Sequence, residues 1–505
     1  MSLAIVHSRA AVGITAPPVT VEVHLSPGLP GLSIVGLPET AVKESRHRVR
    51  SAIINSQLEF PVRRITVNLA PADLPKEGGR FDLAIALGIL AASQQIPAEQ
   101  LNEYEFAGEL ALSGALRPIT GALPFAIASK KINRQLIIAA ANSVEAAFVE
   151  GVRVNAAQHL LDVCAHLRKV KQLPLQSYQD QAARFFYPDL CDVKGQARGK
   201  RALEIAAAGS HSLLMIGPTG TGKTMLATRL PGILPPLTND GALEVAAIHS
   251  LAQHGFNHKN WRVRPFRAPH HSASSAAMVG GGSPPHPGEI SLAHYGVLFL
   301  DELPEFSRQV LESLREPLEA GEVTISRAAH QAHFPARFQF ITAMNPCPCG
   351  YQGDPNGRCR CSSEQVRRYQ ARLSGPLLDR IDMHVEIAPL PINFLLDAGA
   401  AQGETSDLVR KRVTAVYSMQ LQRNGKANAQ LVGDEVTTFC AVSAHDRCFL
   451  AQAINQLGLS ARAYHCVLKL ARTIADLGGY DRIQRTHLQE ALSYRRLDRV
   501  EFSDG

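Results

Sequence analysis

The sequence predicts an α/β protein with a purely helical C-terminal region, and three observations support this. Strand-like and helix-like segments alternate from the N-terminus to about residue 165. The apolar run 211–216, typical of a buried strand, leads into the glycine-rich stretch GPTGTGKT and then into a segment typical of a helix. Beyond about residue 400, apolar residues recur at helical spacing. At 505 residues the chain is too long for one ordinary core, so we expect several domains.

The composition is that of a soluble globular protein, with 45% hydrophobic and 19% charged residues. No segment approaches the roughly 18 apolar residues that a membrane span requires, and the N-terminus lacks the layout of a signal peptide. We therefore expect a cytoplasmic protein without a membrane partner. The formal net charge of +7 is compatible with a polyanionic partner.

An α/β domain is predicted for residues 1–168, followed by a polar linker over 169–190. Within the domain, PKEGGRFDLAIAL and GELALSGALRPITGAL resemble the proteolytic domain of Lon-type proteases. The Ser-Lys dyad of those proteases is missing, because its serine position falls on Arg80 and its lysine region reads Ala122-Leu123-Pro124. The resemblance implies a Lon-protease-like fold that lacks a nucleophile and serves assembly or partner contact.

The glycine-rich stretch has the pattern of a phosphate-binding P-loop between a strand and a helix. Its glycines let backbone N–H groups surround the phosphates of ATP, Lys223 adds positive charge, and the Thr224 hydroxyl can bind Mg²⁺. The start of the following helix favours the same negative charge. The nucleotide-binding residues predicted here are Gly217, Pro218, Thr219, Gly220, Thr221, Gly222, Lys223 and Thr224.

A second element of phosphate chemistry follows about 75 residues later. The apolar run 297–300 predicts a buried strand that ends in Asp301 and Glu302. Asp301 is suited to hold Mg²⁺, and Glu302 to act as the general base that polarises the attacking water. Two surface acids at a strand end are the alternative, but the upstream P-loop favours the functional interpretation.

Two further motifs resemble those of AAA+ ATPases. The stretch DVKGQ before the P-loop resembles the segment beside the adenine, which assigns Val193 and Gln196 to nucleotide binding by position. The strand FQFITAMN ends in Asn345, which the resemblance assigns to sensor 1, a residue that holds the attacking water. An Asn at a strand end can also be an ordinary turn residue.

Two arginines complete the AAA+ assignments. Arg380, in SGPLLDRID, resembles the arginine finger that reaches a neighbouring subunit's γ-phosphate, with an ion pair to Asp379 or Asp382 as the alternative. Such a finger implies an oligomer, and we expect a homo-hexamer. Arg462 opens a helix and resembles sensor 2, which touches the γ-phosphate; the alternative is a residue beside a helix cap without a ligand.

Long segments from RPFRAPHH to LDELPEF and from LREPLE to NPCPCG resemble the magnesium-chelatase-related AAA+ ATPases of the YifB/ComM competence protein family. The resemblance extends over nearly the whole chain. It implies an α/β AAA+ P-loop core of the helix-2-insert type over residues 191–395, with a hairpin before sensor 1 and a four-cysteine insert. Residues 396–505 are implied to form a helical C-terminal lid.

The region corresponding to the helix-2 insert is rich in cations. Residues 245–287 contain no Asp or Glu, a bias typical of surfaces that bind single-stranded DNA. The alternative is contact with acidic groups across the ring. Arg327, near the tip of the predicted hairpin 322–335, is the leading pore-contact candidate. The candidate DNA-binding residues of the insert are Lys259, Arg262, Arg264 and Arg267, beside Trp261 and Phe266.

Four cysteines form two C-x-C pairs separated by nine residues: Cys347, Cys349, Cys359 and Cys361. Four thiolates that can gather in this way predict a structural Zn²⁺ site with no open coordination position. The spacing is tighter than the usual C-x₂-C, and redox-active thiols or the absence of a ligand are the alternatives.

Together these motifs favour a ring-forming, ATP-dependent DNA translocase or helicase. The family resemblance implies that it promotes branch migration and integration of incoming single-stranded DNA in natural transformation or recombination. Single-stranded and branched DNA and recombination proteins are the expected partners. The alternative is an ATP-driven protein-remodelling or metal-chelatase motor subunit. A protease is disfavoured, because the dyad is absent.

Overall fold

The computed structural model describes residues 3–36, 40–177, 187–252, 255–282, 285–326, 331–352, 357–390 and 403–495. The N-terminal elements are β1 (Leu3–Arg9), β2 (Pro18–Ser26), β3 (Gly31–Val35), α1 (Thr40–Asn55), β4 (Arg64–Ala70), α2 (Asp82–Ala92), β5 (Tyr104–Ala107), β6 (Glu109–Leu110), β7 (Leu116–Arg117), α3 (Ala122–Lys131), β8 (Gln135–Ala139), α4 (Ala140–Ala146), β9 (Val154–Ala157), α5 (Leu160–Leu167) and β10 (Leu175–Gln176).

The strands of this region form two four-stranded sheets and a short antiparallel pair, β6–β7. The first has the order β1-β2-β4-β3, with antiparallel pairs except for the parallel pair β3–β4. The second has the order β10-β9-β8-β5, in which only β10 is antiparallel to its neighbour. Helix α2 is buried along its whole length, as its almost uninterrupted apolar sequence requires. Because β10 lies inside 169–190, part of the predicted linker belongs to this second sheet.

The central region is built on a five-stranded parallel sheet in the order β12-β15-β18-β11-β19. Because all five strands run the same way, residues that follow different strands meet at one edge of the sheet. The central elements are α6 (Ala197–Gly209), β11 (Leu213–Ile216), α7 (Lys223–Ile233), α8 (Asn239–Ser250), β12 (Phe266–Arg267), α9 (Ser275–Val279), β13 (Gly280–Gly281), β14 (His286–Pro287), α10 (Glu289–Leu292), β15 (Val297–Leu300), α11 (Arg308–Ser313), α12 (Arg315–Ala320), β16 (Glu322–Ser326), β17 (Gln331–Pro335), β18 (Gln339–Met344), α13 (Ser363–Gln370), α14 (Gly375–Leu378) and β19 (Met383–Glu386).

A hairpin is present where the sequence predicts one. Strands β16 and β17 pair antiparallel from Glu322–Pro335 to Ser326–Gln331, directly before β18. The predicted pore residue Arg327 lies outside the described residues.

The segment 239–287, which is called the insert below, packs through its described residues on the N-terminal region. Apolar residues of α8 share a buried cluster with those of α3, and Trp261 lies in the same cluster. The ring centroids of Trp261 and Phe148 are 4.5 Å apart. The insert and the N-terminal region therefore share one hydrophobic core at this place.

The C-terminal region is helical, as predicted. Its helices share a core with α6, α7 and the parallel sheet. Ion pairs reinforce the contact, for example that between Arg412 and Glu204 at 2.8 Å. The helices are α15 (Ser406–Asn424), α16 (Asp434–Phe439), α17 (Ala444–Leu457), α18 (Ala461–Leu477) and α19 (Arg485–Ser493). Across the described part of the chain, no helix has both the length and the apolar character needed to cross a membrane.

Candidate functional site

The P-loop follows β11 at the carboxyl edge of the parallel sheet, and its backbone requires glycine. Gly220 and Gly222 have φ values of +77° and +89°, in the region that glycine adopts readily. Gly217 passes so close to the next strand that a Cβ there would lie 2.3 Å from the Ile387 carbonyl oxygen. The sequence pattern thus corresponds to a tightly turned loop at the start of α7.

Lys223 lies inside this loop. Its Nζ donates to the carbonyl oxygens of Gly217 and Pro218, at 2.7 and 2.8 Å, and to Oδ1 of Asn345 at 3.1 Å. Burial lowers the pKa of the Lys223 ammonium, and Asp301 and Glu302 oppose that shift. The lysine is therefore already held beside the residue predicted as sensor 1.

The predicted Mg²⁺ ligands also meet. The Thr224 hydroxyl donates to Oδ2 of Asp301 at 2.6 Å, so the P-loop and the end of β15 present neighbouring oxygen atoms. A hydroxyl and a carboxylate are hard oxygen donors of the kind that Mg²⁺ prefers beside ATP phosphates. These two residues fit the predicted metal site, and the bound ion would neutralise phosphate charge.

Glu302 has a strained backbone, with φ of +52°. Left-handed backbone in a non-glycine residue costs about 1 kcal/mol or more and is frequent at functional sites. Its carboxylate Oε2 lies 3.6 Å from Nδ1 of His271, which forms an ion pair when the imidazole is protonated. The predicted general base is therefore next to the insert, a relation the sequence did not indicate.

The two residues assigned to the adenine side occupy different positions. Val193 is buried in the core beneath α6. Gln196 has φ of +50°, and its Nε2 donates to the carbonyl oxygens of Thr221 and Ala388, at 3.0 and 2.8 Å. Gln196 is thus hydrogen-bonded to the P-loop, and its position beside the adenine stays a prediction.

Arg380 lies at the opposite edge of the sheet. Strands β11 and β19 are in register from Leu213–Met383 to Ile216–Glu386, and Arg380 precedes β19 whereas the P-loop follows β11. Four strand residues separate the two edges by about 10 Å. Asp379 and Asp382 are not its partners among the described residues, because its guanidinium pairs with Glu319 at 2.7 Å.

Arg462 joins Arg380 at this edge. Its Nη1 donates to the same carboxylate oxygen of Glu319, again at 2.7 Å. Ser460, at the start of α18, lies 3.5 Å from Asp379, which fixes this helix end beside the Arg380 loop. Arg462 therefore does not lie at the nucleotide site of its own chain. Glu319 gathers both arginines, and no local sequence pattern indicated it.

The insert cations have different environments. Arg264 donates to the carbonyl oxygens of Pro235 and Tyr295, both at 2.5 Å, and burial lowers the pKa of its guanidinium. Arg267 forms a bidentate pair with Glu289, with both contacts at 2.6 Å. The prediction for Arg264 needs correction, because its guanidinium is buried on two internal carbonyl groups. Arg267 is partly exposed, so DNA contact by this residue stays a prediction.

The other insert residues differ in exposure. Arg262 is half-buried and its Nη2 donates to Oδ1 of Asn239 at 2.5 Å, whereas Lys259 is exposed. Trp261 is buried and Phe266 stacks on Phe299, with ring centroids 6.0 Å apart. The two aromatic side chains are therefore core residues and do not form a base-stacking surface.

The four cysteines converge on one point. Their Sγ atoms all lie within 4.8 Å of one another, and three of the separations are 3.4, 3.7 and 3.8 Å. Tetrahedral Zn²⁺ with Zn–S bonds of about 2.3 Å requires separations near 3.8 Å. The donor set fits zinc.

Arg80 is the residue that the resemblance to Lon-type proteases places at the serine position. It is buried, donates to the Thr120 carbonyl oxygen at 3.0 Å and has its pKa lowered to about 10 by burial. It lines a cavity of about 570 Å³, together with Glu77 and Glu109. A guanidinium cannot act as the serine of a protease, and the Lon-protease-like character of this domain stays a prediction.

Comparison with known proteins covers the same regions. Family models for the magnesium chelatase subunit ChlI match residues 189–394, those for subunit ChlI of Mg-chelatase match 21–142, and those for the ChlI C-terminal region match 403–495. The chain is 56% identical over 501 residues to YifB of Salmonella typhimurium, covering 99% of this chain and 98% of that protein.

Two further relatives extend the comparison. YifB of Escherichia coli is 55% identical over 501 residues, with coverage of 99% and 98%. The competence protein ComM of Haemophilus influenzae is 54% identical over 506 residues, with 99% of both chains covered. An AAA+-type ATP site at the edge of a parallel sheet agrees with this relationship. The chain belongs to the magnesium chelatase subunit ChlI family that includes YifB and ComM.

Proposed function

We propose that this chain is a ring-forming, ATP-dependent DNA translocase or helicase. It would promote branch migration and the integration of incoming single-stranded DNA in natural transformation or recombination. The observation that carries the proposal is the convergence of the P-loop, Asp301 and Asn345 in a chain 54% identical to a protein named for competence.

The ATP chemistry follows from the site. Lys223 and the P-loop backbone would hold the phosphates, and Thr224 and Asp301 would hold Mg²⁺. Glu302, next to Asp301, would take a proton from the attacking water, while Asn345 would orient that water. These groups follow three strands of one sheet, so a single chain would provide the phosphate-binding loop, the Mg²⁺ ligands and the general base.

The distribution of arginines supports a ring. Arg380 and Arg462 share Glu319 at the amino edge, about 10 Å of strand away from their own P-loop. In a head-to-tail oligomer, this edge would face the carboxyl edge of the next chain and place both guanidinium groups near its γ-phosphate. We propose a homo-hexamer, in which each site takes residues from two chains.

The proposed DNA-binding residues are Lys259 in the insert and Arg327, which comes directly after Ser326 in the sequence. Lys259 is exposed and lies in a segment without acidic residues, and the net charge of +7 favours a polyanion. Arg262, Arg264 and Arg267 are left out of this set, because all three have internal partners.

Steady-state ATPase activity, with and without single-stranded DNA across a salt series, tests the proposal. We expect stimulation that weakens as salt rises, because phosphate contacts release counterions. Glu302→Gln serves as the blank without turnover. Lys259→Ala and Arg327→Ala should each reduce, by about one, the slope of log apparent DNA affinity against log salt concentration. Lys411→Ala, which removes the same charge from an exposed position of α15, should leave that slope unchanged.

Strand exchange on forked oligonucleotides then separates a translocase from a DNA-stimulated ATPase. The active chain should move the branch with ATP, and Glu302→Gln should bind the fork without moving it. ATPase activity that is indifferent to DNA at every salt concentration would argue against the proposal.

We also propose a structural zinc ion at Cys347, Cys349, Cys359 and Cys361. The sulfur separations support it, and the four thiolates would fill every position of a tetrahedral ion. In this role the ion would hold two loop segments together and take no part in hydrolysis.

A second candidate is an ATP-driven protein-remodelling or metal-chelatase motor subunit. It is favoured by the family models, which are those of a magnesium chelatase subunit, and by the internal partners of Arg264 and Arg267. A motor of this kind would hydrolyse ATP without regard to DNA and respond to a partner protein, so the ATPase experiment separates the two.

A further inference from the structure

The four-cysteine cluster adjoins the nucleotide site. Cys347 comes two residues after Asn345, and Gly350 comes one residue after Cys349. The Gly350 carbonyl oxygen accepts a hydrogen bond of 3.3 Å from the backbone N–H of Thr219, which is in the P-loop. One residue beside a predicted metal ligand is thus bonded directly to the phosphate-binding loop.

A second contact secures the same part of the loop. The backbone N–H of Gly217 donates to the Met344 carbonyl oxygen at 3.3 Å. The first three P-loop residues are therefore held at both ends by the segment 344–350, and Asn345 lies between the two points of attachment. The position of this segment affects the loop and sensor 1 together.

The cysteine cluster fixes the far end of that segment. The backbone N–H of Gly350 donates to the Cys347 carbonyl oxygen at 3.0 Å, and the backbone N–H of Gln352 lies 3.3 Å from Cys347 Sγ. Gly350 itself is buried, with φ of +78°. A Cβ there would lie 2.6 Å from Cγ2 of Thr219 and 3.7 Å from Cγ of Asn345. Glycine is required by both backbone and space.

We propose that Gly350 is a positioning residue through which the metal-bound cysteine cluster sets the shape of the P-loop, so that loss of the metal weakens nucleotide binding. The inference rests on the proposed zinc site and gives it a second role. Metal held by Cys347 and Cys349 fixes the backbone that leads into Gly350, whose N–H donates to the Cys347 carbonyl oxygen. That backbone in turn holds Thr219 in the conformation that receives the phosphates.

Two glycine variants test the contact without removing a cysteine. Gly350→Ala brings a Cβ against Thr219, and we expect the dissociation constant of a fluorescent ADP analogue to rise about tenfold. Gly357→Ala is the matched control, because it has φ of +62° in the same loop and no atom within 4 Å of its Cβ. It should stay within about twofold of the unmodified chain. Both variants should retain zinc, as measured by metal analysis.

A double variant locates the effect. Thr219→Ser removes the Cγ2 atom that the new Cβ meets, so Gly350→Ala should cost less affinity in the Thr219→Ser chain than in the unmodified one. Equal losses in the two backgrounds, or equal affinities of Gly350→Ala and Gly357→Ala, would overturn the proposal.

Metal removal tests the link to zinc. Treatment of the full chain with a chelator should raise the dissociation constant of the ADP analogue, and added Zn²⁺ should restore it. Gly350→Ala should respond much less, because its contact is already disturbed. A chain that holds zinc but binds nucleotide equally well without it overturns this inference and leaves the zinc site standing. A chain that holds no zinc overturns both.

Discussion

Lys223 donates a hydrogen bond of 3.1 Å to Oδ1 of Asn345, which joins the P-loop to the end of β18. Asn345→Ala removes this contact and a group that can orient water. We expect kcat for ATP hydrolysis to fall about 10²-fold, a typical effect of deleting one catalytic hydrogen-bonding group. The dissociation constant for ADP should change less than about threefold. A loss of binding as large as the loss of kcat would instead make Asn345 a binding residue.

The proposed contribution of Arg380 to the ATP site of a neighbouring chain predicts complementation between inactive variants. Arg380→Ala would lack the proposed finger and Lys223→Ala the lysine proposed to bind phosphate, so neither should hydrolyse ATP appreciably alone. Mixed, they form interfaces in which an intact P-loop meets an intact Arg380, and ATPase activity should recover partly. The double variant Lys223→Ala/Arg380→Ala, mixed with Arg380→Ala, supplies no intact finger and is the control. Absence of recovery at every ratio counts against a site shared between chains.

The contact between His271 and Glu302 predicts a coupling of the insert to hydrolysis. His271→Ala frees the carboxylate from its imidazole neighbour, at 3.6 Å in the folded chain. The ratio of DNA-stimulated to basal ATPase activity should fall about fivefold or more, the lower end of usual coupling effects. His258→Ala, which removes an exposed histidine of the same insert, is the control. An unchanged ratio of DNA-stimulated to basal ATPase activity in His271→Ala would contradict a coupling of the insert to hydrolysis through His271.

Glu145 predicts a pH effect on stability. Burial raises the pKa of its carboxyl from 4.5 to about 7, although Leu123, Ser250 and Asn142 form hydrogen bonds that oppose the shift. The folded state therefore binds more protons than the unfolded state between these values, so this group's contribution to stability is present below pH 4.5 and is lost as pH rises to about 7.

Glu145→Gln removes the buried charge and should stabilise the chain at pH 8 by about 1–3 kcal/mol, with a smaller gain at pH 5.5. Thermal unfolding at the two pH values measures the difference. Glu150→Gln, an exposed neighbour, should show no such dependence. A destabilised Glu145→Gln chain at pH 8 would mean that the charged form is needed for packing.

Metal analysis of chain purified without chelator should give about one zinc per chain. Cys349→Ser removes one of the four converging thiols and should lose most of the metal. Cys448→Ser removes an exposed thiol outside the cluster and should retain it. Equal zinc in both variants would contradict the proposed ligand set.

The nucleotide site was predictable because its parts are local patterns. The P-loop, Asp301 and Asn345 each follow a short apolar run that predicts a buried strand. Because the three strands are parallel neighbours in one sheet, their carboxyl ends lie at the same edge. The cysteine cluster was equally predictable, since all four thiols lie in two short pairs joined by one loop.

The arginines show the limit of this reasoning. Arg380 and Arg462 were assigned by motif, but their common partner Glu319 lies on a different helix and belongs to no motif. In the insert, the composition shows that Arg264 and Arg267 are charged, but it does not show the carbonyl groups and the carboxylate to which they donate hydrogen bonds. The partner of each arginine comes from a distant segment of the chain, and local sequence patterns do not predict which distant segments meet.

Trp261 is the only tryptophan in the chain, and it lies in the core shared by the insert and the N-terminal region. Its indole rests 4.5 Å from the Phe148 ring, away from water. Intrinsic fluorescence excited at the indole band therefore reports on one place in the molecule. A separation of the two regions during the ATP cycle would shift that emission to longer wavelength, and a motion as one body would leave it unchanged, so the native protein carries its own optical probe.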